Sequence, residues 1–258
     1  RGDQASPIRL DVRGLSREGA FADISLRLHA GEVVGIAGLV GSGRSEVLRA
    51  IFGADRPDSG EIIVDGTPVR FRSPAQALRR GLGLLPEDRK RQGLLLDRAL
   101  RENISLASLR RLSRFGVLRP DREEREVRKL MAELQIAARG PGQPVVTLSG
   151  GNQQKVVLAR WLARQCGILL FDEPTRGVDV GAKEEIYRLI HALAEQGAAV
   201  LVVSSELKEL FAICPRIMVM REGRLVGEYA GDSLREEDVV AAMVLGGQSD
   251  EHAAVAAG

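Results

Sequence analysis

Residues 148–180 read LSGGNQQKVVLARWLARQCGILLFDEPTRGVDV, and this stretch decides the fold. A glycine-rich turn at 148–152 leads into a helical pattern, and the short apolar run 168–171 then ends in two carboxylates, Asp172 and Glu173. Ligands of doubly wound α/β sheets gather where the parallel strands stop. The stretch therefore predicts a buried strand that delivers two acids to a ligand site, with a simple acidic cap on a strand end as the alternative.

A second glycine-rich segment, GLVGSGRSE at 38–46, follows the apolar run 33–37 and precedes an apolar helix pattern that closes at Gly53. Strand, glycine loop and helix form the setting in which GxxxxGK[ST] binds phosphate, because inward-turned N–H groups and the helix N-terminus attract anions. Arg44 stands where the motif has lysine, and Ser45 is the hydroxyl expected on Mg²⁺. A glycine-rich turn without a ligand is the alternative. The residues predicted to bind the nucleotide are Gly38, Gly41, Ser42, Gly43, Arg44, Ser45 and Glu46.

From about residue 8 to 230 the chain resembles the ATP-binding cassette (ABC) ATPases, on the segments 38–46, 148–155 and 173–181. The resemblance implies an α/β fold: a P-loop NTPase cassette with a RecA-like parallel-sheet core, an antiparallel β subdomain and an inserted α-helical subdomain. It also implies ATP and Mg²⁺ as cofactors.

Two segments, PEDRKR at 86–91 and PTRGVD at 174–179, are similar to the second, C-terminal cassette of bacterial simple-sugar importers of the ribose, galactose, arabinose and xylose type. In these importers the ATPase subunit fuses two cassettes in one polypeptide. The resemblance therefore implies three partners: an N-terminal cassette in the same polypeptide, a transmembrane sugar permease and, indirectly, a sugar-binding protein. The candidate surface for docking the permease is 87–112.

The resemblance also assigns the catalytic positions, Glu173, Ser205 and Glu87. Glu173 is expected to orient and polarise the attacking water, since phosphoryl transfer needs mainly positioning and one aligned carboxylate. Mg²⁺ is expected on Ser45, Asp172 and Glu87.

The signature residues Ser149, Gly150, Gly151 and Asn152 are expected to act in trans, on the γ-phosphate that a partner cassette holds. An ordinary helix N-cap at Ser149 is the alternative. Asp179, with Arg176 beside it, is expected at the seam between two cassettes, with a solvated loop as the alternative.

Four positions depart from the family pattern: Arg44 replaces lysine, Glu46 a threonine beside the α-phosphate, Glu87 a glutamine and Ser205 a histidine. Arginine has a wider, planar cationic group than lysine, and serine cannot reach as far as imidazole. Because Glu173 is retained, we expect a weakened nucleotide site and not a dead one.

Composition limits the function further. The chain has 258 residues with 37 basic and 35 acidic side chains. This balance gives no strong positive electrostatic field of the kind that would indicate a nucleic-acid partner. The apolar surroundings of Cys166 and Cys214 predict buried thiols of a reducing compartment. No apolar stretch is long enough to span a bilayer, and the first residues are unlike a signal peptide. We expect a cytoplasmic protein, peripheral on the inner face of the membrane, with no nucleic-acid partner.

The expected organisation is one nucleotide-binding domain over 1–258. The α/β core and antiparallel β subdomain cover about 8–87 and 166–230, the helical subdomain covers about 88–165, and the tail 247–258 is expected to be disordered. A β-hairpin is predicted at 61–71 from Asp65-Gly66 at its tip. The remaining predicted elements are strands within 8–36 and at 82–85, 168–172, 199–204 and 217–220, helices at 74–81, 182–196 and 206–213, and a last hairpin turning at 222–223.

These observations lead to one main hypothesis and two alternatives. The main hypothesis is a cassette that binds Mg-ATP in a degenerate loop, hydrolyses it slowly and supplies its signature to a partner cassette during sugar uptake. The first alternative is a non-hydrolysing nucleotide-binding scaffold. The second is a soluble cassette that acts in translation or DNA repair.

Overall fold

The computed structural model describes residues 6–246. The predicted disorder of 247–258 lies outside these residues. The strands are β1 Ile8–Arg17, β2 Phe21–His29, β3 Val33–Gly38, β4 Ser59–Val64, β5 Thr67–Val69, β6 Leu82–Leu85, β7 Ser113–Arg114, β8 Val117–Leu118, β9 Ile168–Asp172, β10 Ala199–Val203, β11 Arg216–Arg221 and β12 Arg224–Ala230. The α-helices are α1 Arg44–Ile51, α2 Pro74–Arg79, α3 Leu100–Ser105, α4 Leu109–Leu112, α5 Pro120–Glu133, α6 Gly150–Arg164, α7 Val180–Glu195, α8 Leu207–Ile213 and α9 Glu236–Leu245.

The central sheet has the order β12-β11-β3-β10-β9-β6, and all its neighbours are parallel except the β11–β12 hairpin. Its inner strands are apolar and buried throughout, as expected for parallel strands covered on both faces. Val203 at the end of β10 is in register with Ile36 on one side and Asp172 on the other. The segments that follow β3, β10 and β9 therefore leave the sheet side by side.

An antiparallel sheet with the order β2-β1-β4-β5 packs over α1 and one face of the central sheet. Its β4–β5 hairpin turns at Asp65-Gly66, where both residues have positive φ, so this hairpin prediction is confirmed. The other strands and helices predicted in the core are also present, with end points that differ by a few residues. Helices α6, α7 and α8 cover the opposite face of the central sheet.

Two elements were missed by sequence reasoning. The segment 88–165 was expected to be helical, but β7 and β8 form a small hairpin that turns through Phe115 and Gly116, both with positive φ. Two-residue strands are too short to leave an alternating pattern. Helix α9 was missed because its apolar residues form a run without helical period, although Val239, Ala242 and Met243 are the ones buried.

Both cysteines are buried free thiols, as predicted, and burial raises the pKa of Cys166 to about 12. Within 6–246, no helix combines the length and the apolar character that crossing a membrane requires.

Candidate functional site

The candidate site is a cleft of about 490 Å³ at the carboxyl ends of β3, β9 and β10. This is the edge of a parallel sheet at which ligands bind in doubly wound folds. The residues that line the cleft come from the glycine loop and from the segments after β6, β9 and β10: Val40, Gly41, Ser42, Gly43, Arg44, Ser45, Glu46, Glu87, Glu173, Arg176, Ser205 and Glu206.

The glycine loop needs its glycines. Gly41 and Gly43 have φ of +83° and +98°, a left-handed conformation that side chains disfavour. A Cβ at Gly38 would lie 2.5 Å from the Met220 carbonyl oxygen. Helix α1 begins directly after Gly43 without a side-chain cap. Its first N–H groups therefore remain for an anion.

Ser45 and Asp172 form a pair suited to Mg²⁺. The Ser45 hydroxyl donates to Asp172 Oδ1 at 2.9 Å. Burial raises the pKa of the Asp172 carboxyl to about 6, although the Ser45 hydrogen bond acts in the opposite direction. Hydroxyl and carboxylate oxygens are hard ligands of the kind that Mg²⁺ prefers. Among the described residues no cluster of three or more His, Cys, Asp and Glu is arranged to hold a metal alone, so phosphate or water oxygens would have to complete the shell.

Glu173 is held in an unusual conformation. Its φ is +50°, and its backbone N–H donates to the Val203 carbonyl at 2.8 Å. The Oε1 atom accepts from the Ser205 backbone N–H at 2.7 Å, and Oε2 accepts from the Ser205 hydroxyl at 3.2 Å. Left-handed backbone at a non-glycine residue is a form of strain that concentrates at functional sites. Sequence reasoning had paired Glu173 with the attacking water, whereas here Ser205 engages both carboxylate oxygens.

Arg44 crosses the cleft toward β10. The residue is 6% exposed, and its Nη1 donates to the Ser204 carbonyl oxygen at 2.6 Å. Its Nη2 lies 3.8 Å from Glu173 Oε1. Burial lowers the pKa of the Arg44 guanidinium, and the carboxylates of Glu173, Asp172 and Glu46 offset part of this effect. The cation that replaces the lysine of the motif therefore contacts the far wall of the cleft.

Two further predicted residues form an ion pair with each other. Glu87, which sequence reasoning assigned to Mg²⁺, pairs with Arg176, which was assigned to the seam between cassettes. Both line the cleft beside the glycine loop. The structure thus places Arg176 in the same cleft as the predicted nucleotide-binding residues.

The signature residues lie on another surface. Ser149 is the N-cap of α6, and Asn152 Nδ2 donates to its hydroxyl at 2.8 Å. The side-chain oxygen Oδ1 of Asn152 accepts from the Ala137 backbone N–H at 2.8 Å. Within the part of the chain that is described, the cleft lining includes none of the four signature residues.

The signature turn packs on the segment that contains Asp179. A Cβ on Gly150 would lie 2.6 Å from the Gly177 carbonyl oxygen, and one on Gly151 would lie 2.8 Å from Ala182 Cβ. Asp179 itself caps α7 by accepting from the Ala182 N–H at 3.0 Å. The glycines at 150 and 151 are therefore required for this close approach.

Arg89 was missed as a site residue, because sequence reasoning grouped it with Lys90 and Arg91 as a short basic run. It is buried and donates to the carbonyl oxygens of Arg176 and Gly177, at 2.6 and 3.2 Å. It thereby joins the segment after β6 to the segment after β9. The sequence carries no signal for this contact, since basic side chains are usually solvated.

A groove of about 690 Å³ lies in the helical region. Residues between 95 and 109, which belong to the predicted docking surface 87–112, form one part of its lining, and residues between 118 and 124 form the other. Leu95, Leu106 and Leu109 are each at least 40% exposed there. On its floor the Ser105 hydroxyl donates to Glu123 Oε1 at 2.5 Å. Charged residues rim the groove: Arg98, Arg101, Glu102, Asp121 and Glu124.

Solved structures with the same fold are ATP-binding cassettes. A nucleotide-free cassette from an ABC transporter superposes with a TM-score of 0.75 at 20% identity, over 87% of this chain and 92% of that one. The dimeric cassette MJ0796, a bacterial ABC transporter cassette, gives 0.73 at 26% identity, over 88% and 99%. The fold expected from the sequence is confirmed.

The family model described as ABC transporter matches residues 21–176, and the chain belongs to this family. A putative ribose/galactose/methyl galactoside import ATP-binding protein of Rhizobium meliloti is 51% identical over 229 residues, 89% of this chain and 46% of the relative. The ribose import ATP-binding protein RbsA of Pseudomonas putida is 48% identical over 237 residues, 92% of this chain and 46% of the relative. The chain spans about half the length of these curated relatives.

Proposed function

We propose that this chain is an ATP-binding and ATP-hydrolysing cassette of an ABC importer for simple sugars. The observation that carries the proposal is the convergence of the glycine loop, the Ser45–Asp172 pair and Glu173 on one cleft. The import function is supported by relatives that are about half identical and named for ribose and galactose import.

In this proposal the residues of the cleft divide the chemistry among them. The N–H groups of the glycine loop and the start of α1 bind phosphate oxygens. Ser45 and Asp172 hold Mg²⁺, which neutralises charge on the phosphates when bound. Glu173 orients the attacking water after the Glu173 carboxylate has separated from Ser205. Glu87 contributes to the metal site only after it separates from Arg176, and Glu46 adds negative charge beside the phosphates, which weakens binding.

A partner cassette completes the reaction. Ser149 is exposed and lies outside the chain's own cleft, so it is available to a nucleotide held by another cassette. Val40, which lines the cleft, is 90% exposed, and Val180, which follows Asp179, is 81% exposed, so both are accessible to a second cassette. We assign Asp179 and Arg176 to the same seam.

The partner is a second cassette of the same polypeptide. The curated relatives are about twice the length of this chain, which leaves room for one more cassette. The similarity of 86–91 and 174–179 to C-terminal cassettes supports a position in the second half of that polypeptide.

The remaining partners are outside the cassettes. The groove near Leu95, Leu106 and Leu109 receives a cytoplasmic segment of a transmembrane sugar permease. A sugar-binding protein delivers the sugar to this permease. The chain then works at the inner face of the membrane, and nucleic acid has no role.

The test is ATP hydrolysis by the assembled pair of cassettes with the permease. Ser149→Arg should abolish hydrolysis, because a bulky cation replaces the turn that contacts the partner's phosphate. Glu173→Gln should only reduce it, because the other site remains equipped. Ser73, also a helix N-cap but without a side-chain hydrogen bond there, gives the matched control Ser73→Arg. Equal losses from Ser149→Arg and Glu173→Gln would count against the proposal.

The contacts of Arg44 and Ser205 with Glu173 favour one alternative, the non-hydrolysing scaffold. Single-turnover hydrolysis at this chain's own site distinguishes the two. A rate above that of the Glu173→Gln variant supports slow turnover, whereas an equal rate supports the scaffold.

A further inference from the structure

The nucleotide cleft of this chain is spanned by its own side chains. Arg44 starts at the first residue of α1 and reaches the end of β10, where it donates to the Ser204 carbonyl at 2.6 Å. The same guanidinium lies 3.8 Å from Glu173 Oε1. One side chain therefore connects the glycine loop with the segment after β10, which contains Ser204, and with the segment after β9, which contains Glu173.

The Ser204 carbonyl is itself held in place. The Ser204 hydroxyl donates to Glu209 Oε2 at 2.5 Å and accepts from the Glu206 backbone N–H at 3.0 Å. Glu209 is 2% exposed, so this anchor is buried. The acceptor of Arg44 is thus a fixed group and not a mobile loop atom.

The neighbouring Ser205 holds the carboxylate that Arg44 faces. Its backbone N–H donates to Glu173 Oε1 at 2.7 Å, and its hydroxyl donates to Glu173 Oε2 at 3.2 Å. Ser205 therefore fixes Glu173 at the position where it faces the Arg44 guanidinium.

Phosphate binding and these contacts compete for one cation. The Arg44 guanidinium is engaged at the far wall of the cleft, so the donor that the Ser204 carbonyl accepts is not available to a phosphate in the glycine loop while this contact lasts. Lysine has a shorter side chain and lacks the planar fork of donors, so it fits this pair of acceptors less well than arginine.

We propose that Arg44 is a latch of the nucleotide-free site: it holds Glu173 and the end of β10 until ATP draws it to the phosphates. The inference rests on the proposed function and adds regulation of the same site. Binding of ATP then has to break the latch, and the release of Arg44 is coupled to the release of Glu173.

The experiment is isothermal titration of the chain with Mg²⁺ and the slowly hydrolysed analogue AMP-PNP. Arg44→Lys keeps a cation for phosphate but removes the bridge, so it should bind about tenfold more tightly than wild type, as expected when one charge-assisted hydrogen bond of the free state is lost. The nucleotide-free variant should also melt roughly 2–4 °C lower. Arg49→Lys is the matched control, because Arg49 lies on the same helix and pairs with Asp55; its affinity should equal that of wild type.

A double-mutant cycle measures the part of the gain that comes from Glu173. In a Glu173→Gln background the gain from Arg44→Lys should be smaller but not absent, because the hydrogen bond to the Ser204 carbonyl remains while the carboxylate 3.8 Å from Arg44 Nη2 has lost its charge. A gain of equal size in both backgrounds would overturn the latch, as would Arg44→Lys binding that is no tighter than wild type. Binding by none of the variants would remove the proposed function and the latch together, whereas equal binding by wild type and Arg44→Lys would remove the latch alone.

Discussion

The two glycine-rich turns of this chain differ in how far they keep the family pattern. The turn at 149–152 keeps its serine and both glycines, lies at the surface and packs on the segment of Asp179. The loop at 38–46 carries Arg44 and Glu46, and the Arg44 guanidinium already donates to the Ser204 carbonyl and lies 3.8 Å from the Glu173 carboxylate. Under the proposed function, this difference predicts that the chain is better suited to completing a partner's site than to turning over its own nucleotide.

Removing the carboxylate proposed to hold Mg²⁺ gives the largest expected effect. Asp172→Asn should reduce Mg²⁺-dependent hydrolysis at this chain's own site by roughly 10²–10³, the usual size for losing one well-placed electrostatic contact. Single-turnover hydrolysis measured against Mg²⁺ concentration checks it. If the contrast between the turns is correct, total hydrolysis by the cassette pair falls much less, and an equally large fall would break the comparison.

The same carboxyl should make the nucleotide-free chain depend on pH. Burial raises the pKa of Asp172 from 3.8 to about 6, so the folded state holds this proton more tightly than the unfolded state. Its stabilising contribution is present below pH 4 and is lost as the pH rises through 6, a loss on the order of 3 kcal/mol. Asp172→Asn should therefore raise the melting temperature most at pH 8 and hardly at pH 4. A gain that is independent of pH would contradict the raised pKa.

The signature turn can be tested by its packing. Gly150→Ala places a Cβ 2.6 Å from a backbone oxygen and should cost about 1–3 kcal/mol in the free energy of unfolding. The matched control is Gly142→Ala, where a Cβ meets nothing within 4 Å. Denaturant unfolding of the two variants gives the difference. Equal stability would show that the turn does not need its close contact with Gly177.

Much of this fold and site could be predicted, because the informative residues carry local signals. The glycine loop, the strand that ends at Asp172 and the hairpin at Asp65-Gly66 each depend on a few adjacent residues. The contacts made by Arg44, Arg89 and Glu87 could not be predicted. Each joins segments that are far apart in sequence, and a charged side chain gives no local indication of which distant carbonyl or carboxylate it will meet.

The smallest expected effect concerns Asp179. Its carboxylate caps α7 at 3.0 Å, so Asp179→Ala should cost about 1 kcal/mol in stability, seen as a melting temperature lower by roughly 2–4 °C. Asp179→Asn retains an oxygen that can accept the same N–H, and should recover most of this loss. The comparison sharpens when both variants are assayed for hydrolysis with the partner cassette. If Asp179 acts at the seam through its charge, both variants lose activity although only Asp179→Ala loses stability; if it serves only as a cap, Asp179→Asn behaves as wild type in both measurements.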